Sequence, residues 1–213
     1  MVTATTTHLT KQETRFLEAL SACATFRARL DLVYRSAYPL VGQGSGRTVL
    51  QIHPKRVAKI AKNAKGIAQN AAEANYYASQ QYGGVLAKVL ANDDDDTWLV
   101  QQAVTKTSKK AIQKYFGVSL EEIGKYMGFH CYPYRGALGA WYQPQDATTK
   151  RFAASQRLSS LIDCALNCDW HCGDMGRVSS WGMLGKRIVL CDYGLTRSNY
   201  ETYYQRKRPT RHW

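Results

Sequence analysis

A chain of 213 residues, 45% of them apolar, can bury one good core, which excludes an intrinsically disordered protein. The 29 lysines and arginines exceed the 16 acidic residues and give a net charge of +13, which predicts attraction to nucleic acid, acidic proteins or nucleotide phosphates. The sequence contains no run of about 18 apolar residues and begins without a secretory-signal pattern, so we expect a soluble, cytoplasmic protein with no membrane partner.

The first helical pattern covers about residues 11–36 and predicts one helix or two. Thr10 and Glu13 have the spacing of a capping box, in which each side chain satisfies a free backbone N–H group at a helix start. Apolar residues then recur near helical period. We expect residues 1–38 to form a helical extension in front of the main domain.

Short β-forming segments follow this extension. The glycine-rich stretch 42–46 is flanked by segments typical of a strand, a turn and a returning strand. Residues 66–80 are rich in alanine and predict a helix. Residues 85–104 predict a hairpin, and the four aspartates at 93–96 are expected at its solvated tip because consecutive carboxylates cannot converge on one ion.

The second half of the sequence predicts mainly helices. Residues 106–116 are expected to form a lysine-rich connection and residues 119–127 a helix that begins at a second capping box. Helical period returns over 149–167. A buried-strand pattern at 187–191 then ends in the triplet Asp192-Tyr193-Gly194.

A glycine loop and a single lysine are the first candidates for chemistry. Gly42, Gly44 and Gly46 stand at alternate positions, so the backbone can approach a ligand closely and point N–H groups at phosphate oxygens. Lys59 lies among apolar neighbours in a predicted strand, and Glu73 follows 14 positions later on a predicted helix. A buried lysine needs a carboxylate or phosphate partner, whereas the alternative is an ordinary surface cation.

The order of glycine loop, strand lysine and helix glutamate resembles the upper lobe of the protein kinases, and the resemblance covers about residues 40–196. It implies a minimal bilobal α+β fold, with an antiparallel-sheet N-lobe over 39–104 and a reduced, mainly helical C-lobe over 105–196. It also implies ATP and Mg²⁺ as cofactors. The implied nucleotide contacts are Gly42, Gly44, Ser45, Gly46, Val49, Lys59 and the hinge residues Gln102 and Ala103, with Glu73 holding Lys59 in place.

The lower-lobe part of the resemblance is Cys172–Gly176 followed by Asp192-Tyr193-Gly194, with Tyr193 where the family has phenylalanine. It implies Asp174 as the catalytic base and Asp192 as a metal ligand. Ser179 stands where the family carries a metal-binding asparagine, and we include it in the implied metal site. A second register is open, since Asp169–Asp174 resembles the Asp-x-His-x-Gly-Asn signature of small-molecule kinases.

The cysteines offer a competing interpretation of the same region. Cys164, Cys168, His171 and Cys172 could share a zinc ion, although their spacing lacks the tight Cys-x-x-Cys turn of structural zinc sites. Because the six cysteines of the chain do not frame short loops, we expect reduced thiols.

Only 19 residues follow Gly194, so we expect specificity to come from the opening helix, the 105–150 segment or the basic aromatic tail at 197–213. One hypothesis is an ATP- and Mg²⁺-dependent phosphotransferase acting on a protein. The others are a pseudokinase-like binding protein and a nucleic-acid-binding protein that uses tail arginines interleaved with Tyr203, Tyr204 and Trp213. The brevity resembles small phage-encoded kinase-like proteins, which implies a host-cell location and an acidic or host protein as partner.

Overall fold

The structure is a computed structural model that describes residues 9–78, 84–131 and 146–204. The first half contains α1 (Lys11–Ser21), α2 (Phe26–Arg35), β1 (Leu40–Gln43), β2 (Arg47–His53), β3 (Arg56–Ala61), α3 (Ala64–Ala78), β4 (Val89–Asn92) and β5 (Trp98–Gln102). The second half contains β6 (Thr105–Lys106), α4 (Lys109–Phe116), α5 (Leu120–Cys131), α6 (Asp146–Ala154), α7 (Gln156–Asn167), two 3₁₀ turns (Cys172–Gly176 and Val178–Ser180), β7 (Trp181–Leu184), β8 (Arg187–Leu190) and α8 (Arg197–Tyr203). The predicted α+β class is confirmed.

Strands β1 to β5 form an antiparallel sheet in the order β1-β2-β3-β5-β4. Val49 of β2 and Leu99 of β5 lie on either side of Lys59 in β3, so these three side chains share one face of the sheet. Alternate residues such as Leu50 and Ile60 point to the opposite face. This alternation separates a mainly apolar face from the face that carries Lys59.

Helices α1 and α2 cover the apolar face of the sheet. Leu17, Leu20 and Val33 from the helices form one buried cluster with sheet residues, among them Leu50 and Ile60. Burial of each such side chain contributes roughly 1.5–3 kcal/mol. The predicted helical extension is therefore two helices that share a core with the sheet, and the Thr10–Glu13 capping box is present at the start of α1.

A buried ion pair fixes the start of α1 to strand β3. The two carboxylate oxygens of Glu13 accept hydrogen bonds from Nε and Nη2 of Arg56, each over 2.8 Å. Burial disfavours the charged form of Glu13, but the hydrogen bonds from Arg56 and Thr10 outweigh it and lower its pKa. Glu13 thus serves both as the N3 residue of the capping box and as the anchor of the helix to the sheet.

Helices α4 to α7 help to build a second core, separate from the first. Its buried side chains come from α4, α5, α6 and α7, from the segment after α7 and from a three-stranded sheet of order β6-β7-β8. The predicted lysine-rich connection is largely the helix α4, because Ile112 and Phe116 lie four residues apart on a buried face. The helix predicted over 149–167 is two helices, α6 and α7, since Ser155 caps a new start. No helix in the described ranges combines the length and apolarity that crossing a membrane needs.

The cysteines follow the sequence expectation in part. Cys23, Cys164, Cys168 and Cys191 are free thiols, as expected. Cys172 is disulfide-bonded, so the expectation of reduced thiols was wrong for this residue.

We predict that Glu13→Ala lowers the free energy of unfolding by about 3–5 kcal/mol, because Arg56 would stay buried without its carboxylate. Urea denaturation followed by circular dichroism measures the change. Glu18→Ala, on the exposed side of the same helix, is the control and should change it by less than about 0.5 kcal/mol. Equal effects of the two substitutions would contradict the role given to the ion pair.

Candidate active site

Glu73 is the centre of the candidate site. It lies on α3 with no exposed surface, and its Oε2 accepts a hydrogen bond of 2.6 Å from Lys59 Nζ. Lys59 reaches it because the alternation of β3 turns this residue away from the α1 and α2 cluster and toward α3. The same Nζ donates to the backbone carbonyl of Cys191 over 2.6 Å, just before Asp192. The lysine predicted to need a carboxylate partner therefore has one, and it lies next to the second candidate loop.

Arg47 is a member of the site that the sequence analysis missed. One nitrogen of its guanidinium, Nη2, lies 2.9 Å from Glu73 Oε1 and 2.6 Å from Asp192 Oδ1. The other, Nη1, donates to Asn70 Oδ1 over 3.3 Å. Burial lowers the pKa of Arg47, but the charges of Glu73 and Asp192 more than compensate and raise it, so the group stays charged. Arg47 joins α3 to the loop after β8.

A signal for Arg47 was present in the sequence. The residue begins β2 two positions before Val49, so the alternation of the strand places both on the Lys59 face of the sheet. Arg47 also stands where a Walker-type loop would need lysine, so the sequence excludes that type of phosphate loop here.

The glycine loop is anchored on the first turn of α3. The carbonyl of Gly46 accepts a hydrogen bond from Lys62 N over 2.8 Å, and a Cβ on Gly46 would lie 2.6 Å from the side chain of Gln69. A Cβ on Gly66 would collide with the Gly46 carbonyl oxygen. Glycine at 66 is thus required by the close approach of two backbones, whereas a side chain at 46 would first displace Gln69.

The tip of the glycine loop faces solvent. Gly44 and Ser45 are exposed, while Gly42 and Val49 are half-buried on the paired strands β1 and β2. Ser45 is held to α3 because its Oγ accepts a hydrogen bond from Lys65 Nζ over 2.8 Å. The loop residues predicted to contact phosphate therefore lie together near the start of α3, with Gly44 N bonded to the carbonyl of Arg47 over 2.9 Å and Ser45 exposed at the tip.

The backbone N–H groups of the predicted hinge residues are used within the protein. Gln102 N donates to the carbonyl of Lys88 over 2.8 Å, and Ala103 N donates to the carbonyl of Lys55 over 2.9 Å. Both N–H groups are thus used within the protein, so an adenine contact here would have to use carbonyl oxygens or neighbouring groups. The preceding residue, Gln101, is buried, and its Nε2 lies 3.4 Å from Glu73 Oε2. The sequence analysis did not identify it as a site residue.

Asp174 and Asp192 come from two loops separated by the β7–β8 hairpin. The turn before β7 fixes the second loop, since Ser180 O accepts hydrogen bonds from the N–H groups of Cys191 (2.8 Å) and Asp192 (3.3 Å). Ser179 is exposed on that turn. Asp174 pairs with Arg177 over 3.0 Å and retains 21% of its side-chain surface. The hairpin thus brings the two predicted carboxylates and Ser179 to one side of the molecule.

The two carboxylates have opposite pKa shifts. Burial and the nearby charge of Asp192 raise the pKa of Asp174, and Arg177 and Arg47 offset only part of this. Loss of solvent also disfavours charge on Asp192, but Arg47, Lys59 and Arg177 outweigh it and hold its pKa below the usual range. One carboxylate is therefore poised to take a proton while the other stays ionised.

Asp169, the alternative start of the catalytic loop, is bound to α8. Its Oδ1 lies 3.4 Å from Arg197 Nε, and its Oδ2 accepts a hydrogen bond from Ser198 N over 3.3 Å. The residue has a φ of +52°, in the left-handed region that aspartate tolerates better than most residues. Its described contacts are with the start of α8, whereas Asp174 lies close enough to Asp192 for that charge to raise its pKa.

A column of three packed aromatic rings, Tyr76, Trp170 and Tyr193, adjoins the Asp192 loop. Tyr193 is buried, and its hydroxyl donates to the carbonyl of Ala87 over 2.8 Å. Its ring packs on Trp170 with centroids 6.0 Å apart, and Trp170 packs at the same distance on Tyr76 of α3. The residue after Asp192 is thus locked between α3 and the start of the catalytic loop.

The start of the predicted basic aromatic tail is the helix α8. Asn199 Nδ2 donates to the carbonyls of Ala68 (3.1 Å) and Gly194 (3.2 Å), which ties α3 to the Asp192 loop. Tyr200 stacks on His171 at 4.0 Å, and Lys65 lies over the ring of Tyr204 at 4.5 Å. Arg206, Arg208, Arg211 and Trp213 lie outside the described residues.

The zinc interpretation is not supported in the described ranges. Cys164 Sγ and Cys168 Sγ lie 4.0 Å apart, but Cys172 is disulfide-bonded and so is not a thiolate ligand. No group of three or more histidine, cysteine or acidic residues that could hold a metal is found there.

Magnesium needs less from the protein, since it is usually held by one or two carboxylates together with substrate phosphates. Asp192, half exposed, and Asp174 are the two carboxylates that could serve in this way.

Comparison with known proteins gives little beyond this geometry. No protein-family model and no curated protein matches the chain. A solved ternary complex of streptomycin, ATP and APH(2")-IIa is similar over 75% of this chain, with 9% identity and a TM-score of 0.36. The match covers 66% of that chain, slightly less than two thirds of its length. At this identity and TM-score the similarity assigns no function.

We predict that Glu73→Ala is far more destabilising than Lys59→Met. Loss of Glu73 leaves the buried Lys59 without a carboxylate and leaves Arg47 with Asp192 alone, and it should lower the free energy of unfolding by about 3–5 kcal/mol. Loss of Lys59 leaves Glu73 paired with Arg47. Urea denaturation of both variants, with the exposed Glu121→Ala as control, tests this, and equal destabilisation by Glu73→Ala and Lys59→Met would contradict the shared network.

Proposed function

We propose that the chain is an ATP- and Mg²⁺-dependent phosphotransferase of the kinase-like type. The observation that supports this best is the joined set of Lys59 on the third strand, Glu73 on the following helix and Asp192 after the β7–β8 hairpin. Structural stability alone gives no reason to gather two cations and two carboxylates, because a buried ion pair contributes little compared with apolar residues of the same volume. A site that binds phosphate and metal needs these groups.

Lys59 and the glycine loop would bind the phosphates. Glu73 holds the Lys59 ammonium at the position where a strand lysine of a kinase contacts the α- and β-phosphates. Gly44 N donates to the carbonyl of Arg47 over 2.9 Å, so within the exposed tip it is the N–H group of Ser45 that can be donated to the outer phosphates. The half-buried Val49, next to Lys59 on β2, would pack against the base or ribose.

Asp192 and Asp174 would hold the metal and direct the proton. Mg²⁺, when bound with nucleotide, would neutralise the developing phosphate charge. Asp192 suits this ion because its lowered pKa keeps it ionised. Asp174 suits the role of general base because a raised pKa makes its carboxylate a stronger proton acceptor for the attacking hydroxyl. Ser179, exposed beside Asp192, would be a weaker ligand than asparagine at the same place.

The acceptor is the part of the proposal with the least support from the site. A protein acceptor stays a prediction, and the positive charge of the chain favours an acidic one. A pseudokinase-like binding protein is the alternative that the Arg47–Asp192 contact favours, because this contact occupies one oxygen of the metal-binding carboxylate. The nucleic-acid hypothesis depends on tail residues outside the described ranges.

The first experiment is a thermal-shift titration with ATP, with and without Mg²⁺, combined with transfer of labelled γ-phosphate to the protein itself and to a host-cell lysate. A ligand that binds only the folded state stabilises it, by about 2.7 kcal/mol when the ligand concentration is 100 times its Kd. The melting temperature rises as a result. Stabilisation by Mg²⁺ and ATP with labelled product supports the phosphotransferase. Stabilisation without product supports the pseudokinase, and no response to any nucleotide refutes nucleotide binding.

We predict that Lys59→Ala and Asp192→Ala each abolish the stabilisation by ATP and Mg²⁺, since each removes a group that serves the ligand. Lys55→Ala and Asp94→Ala are matched controls, because both side chains are exposed on turns of the same sheet. The controls should keep the wild-type response. A wild-type response in either site variant, in the same titration, would show that the site is assigned to the wrong residues.

Asp174→Asn should abolish phosphate transfer and leave nucleotide binding largely intact, whereas Asp169→Asn should leave transfer within about tenfold of wild type because asparagine can still cap α8. The raised pKa of Asp174 also predicts the pH profile: kcat/KM falls as the pH drops through this pKa, at a higher pH than an ordinary aspartate would give. The reverse pattern in the two variants would favour the register that starts at Asp169.

A further inference from the structure

Arg47 contacts the two carboxylates on which the proposed site depends. Its Nη2 lies 2.9 Å from Glu73 Oε1 and 2.6 Å from Asp192 Oδ1, and its side chain is only 8% exposed. Glu73 has a second cation, Lys59, at 2.6 Å. Arg47 is therefore the cation that pairs with Asp192, while Glu73 is shared between Arg47 and Lys59.

The charges of this cluster balance without a metal. Lys59 and Arg47 supply two positive charges, and Glu73 and Asp192 supply two negative charges. A divalent cation that enters alone would compete with Arg47 for Asp192 and leave the site with excess positive charge. A nucleotide that enters with the cation brings negative phosphates, which provide a new partner for the guanidinium.

We propose that Arg47 is a positioning residue that holds Asp192 in the nucleotide-free protein and exchanges it for phosphate oxygens when the metal and nucleotide bind together. The proposal rests on the proposed function. Arginine suits this exchange because its planar guanidinium binds carboxylate and phosphate in similar geometry and stays charged. Asn70, 3.3 Å from Nη1, would keep the side chain in place while Nη2 changes partner.

The exchange predicts opposite effects on two ligands. Arg47→Met frees Asp192 and removes a positive charge that competes with the metal, so the affinity for Mn²⁺ alone should increase, on the order of tenfold. The same variant loses a charged donor to phosphate, so the affinity for ATP without metal should fall by about tenfold or more. If Arg47 had only a structural role, the substitution would not increase the affinity for Mn²⁺ or for ATP.

The test is a Mn²⁺ titration of the full chain followed by electron paramagnetic resonance of the free ion, with a separate calorimetric titration of ATP. Arg47→Lys keeps the charge but replaces the guanidinium fork, and it should fall between wild type and Arg47→Met. Arg187→Met removes an exposed arginine of β8 and should change neither affinity. The double variant Arg47→Met, Asp192→Asn should lose the gain in Mn²⁺ affinity, which ties that gain to the freed carboxylate.

Unchanged or weaker Mn²⁺ binding by folded Arg47→Met, checked by circular dichroism and by the Arg47→Lys variant, would overturn the proposal. If wild type bound no ATP under any condition, the proposed function would fail by itself. The Mn²⁺ titrations would then still decide whether Arg47 blocks Asp192, so the two failures can be told apart.

Discussion

The buried carboxylate of Glu73 is the group that both halves of the fold contact. It has no exposed surface, and cations and a backbone donor surround it, as burial of a carboxylate requires. Lys59 binds it from the sheet, Arg47 from the end of the glycine loop, and Gly194 N from the loop after Asp192 at 3.2 Å. Strand, loop and lower half are thereby held in register by one side chain.

Residues that interact through local patterns could be predicted from the sequence. The alternation around Lys59 and the helical position of Glu73 indicated a pair, and the sheet order that places α3 behind β3 lets them meet at 2.6 Å. The capping box at Thr10 also follows from spacing alone. Helix α4 was hidden because its lysines dominate the composition, although its apolar residues have helical spacing.

Contacts between distant parts of the chain could not be predicted in the same way. Arg47 and Asp192 are separated by 145 positions, and nothing in the neighbourhood of either residue specifies the other. The column of Tyr76, Trp170 and Tyr193 likewise draws on three separate elements. The hydrogen bonds of Gln102 N to Lys88 and of Ala103 N to Lys55 could not be predicted either, because they depend on the tertiary register of the sheet.

The close approach of Gly46 and Gly66 has a mechanical consequence. Their backbones touch where side chains would normally keep a loop and a helix apart, and Lys62 and Lys65 add hydrogen bonds on either side. Because tightly packed groups transmit displacement to their neighbours, the glycine loop cannot lift without moving the first turn of α3. We therefore expect any displacement of the loop to be coupled to a displacement of α3, the helix that carries Glu73.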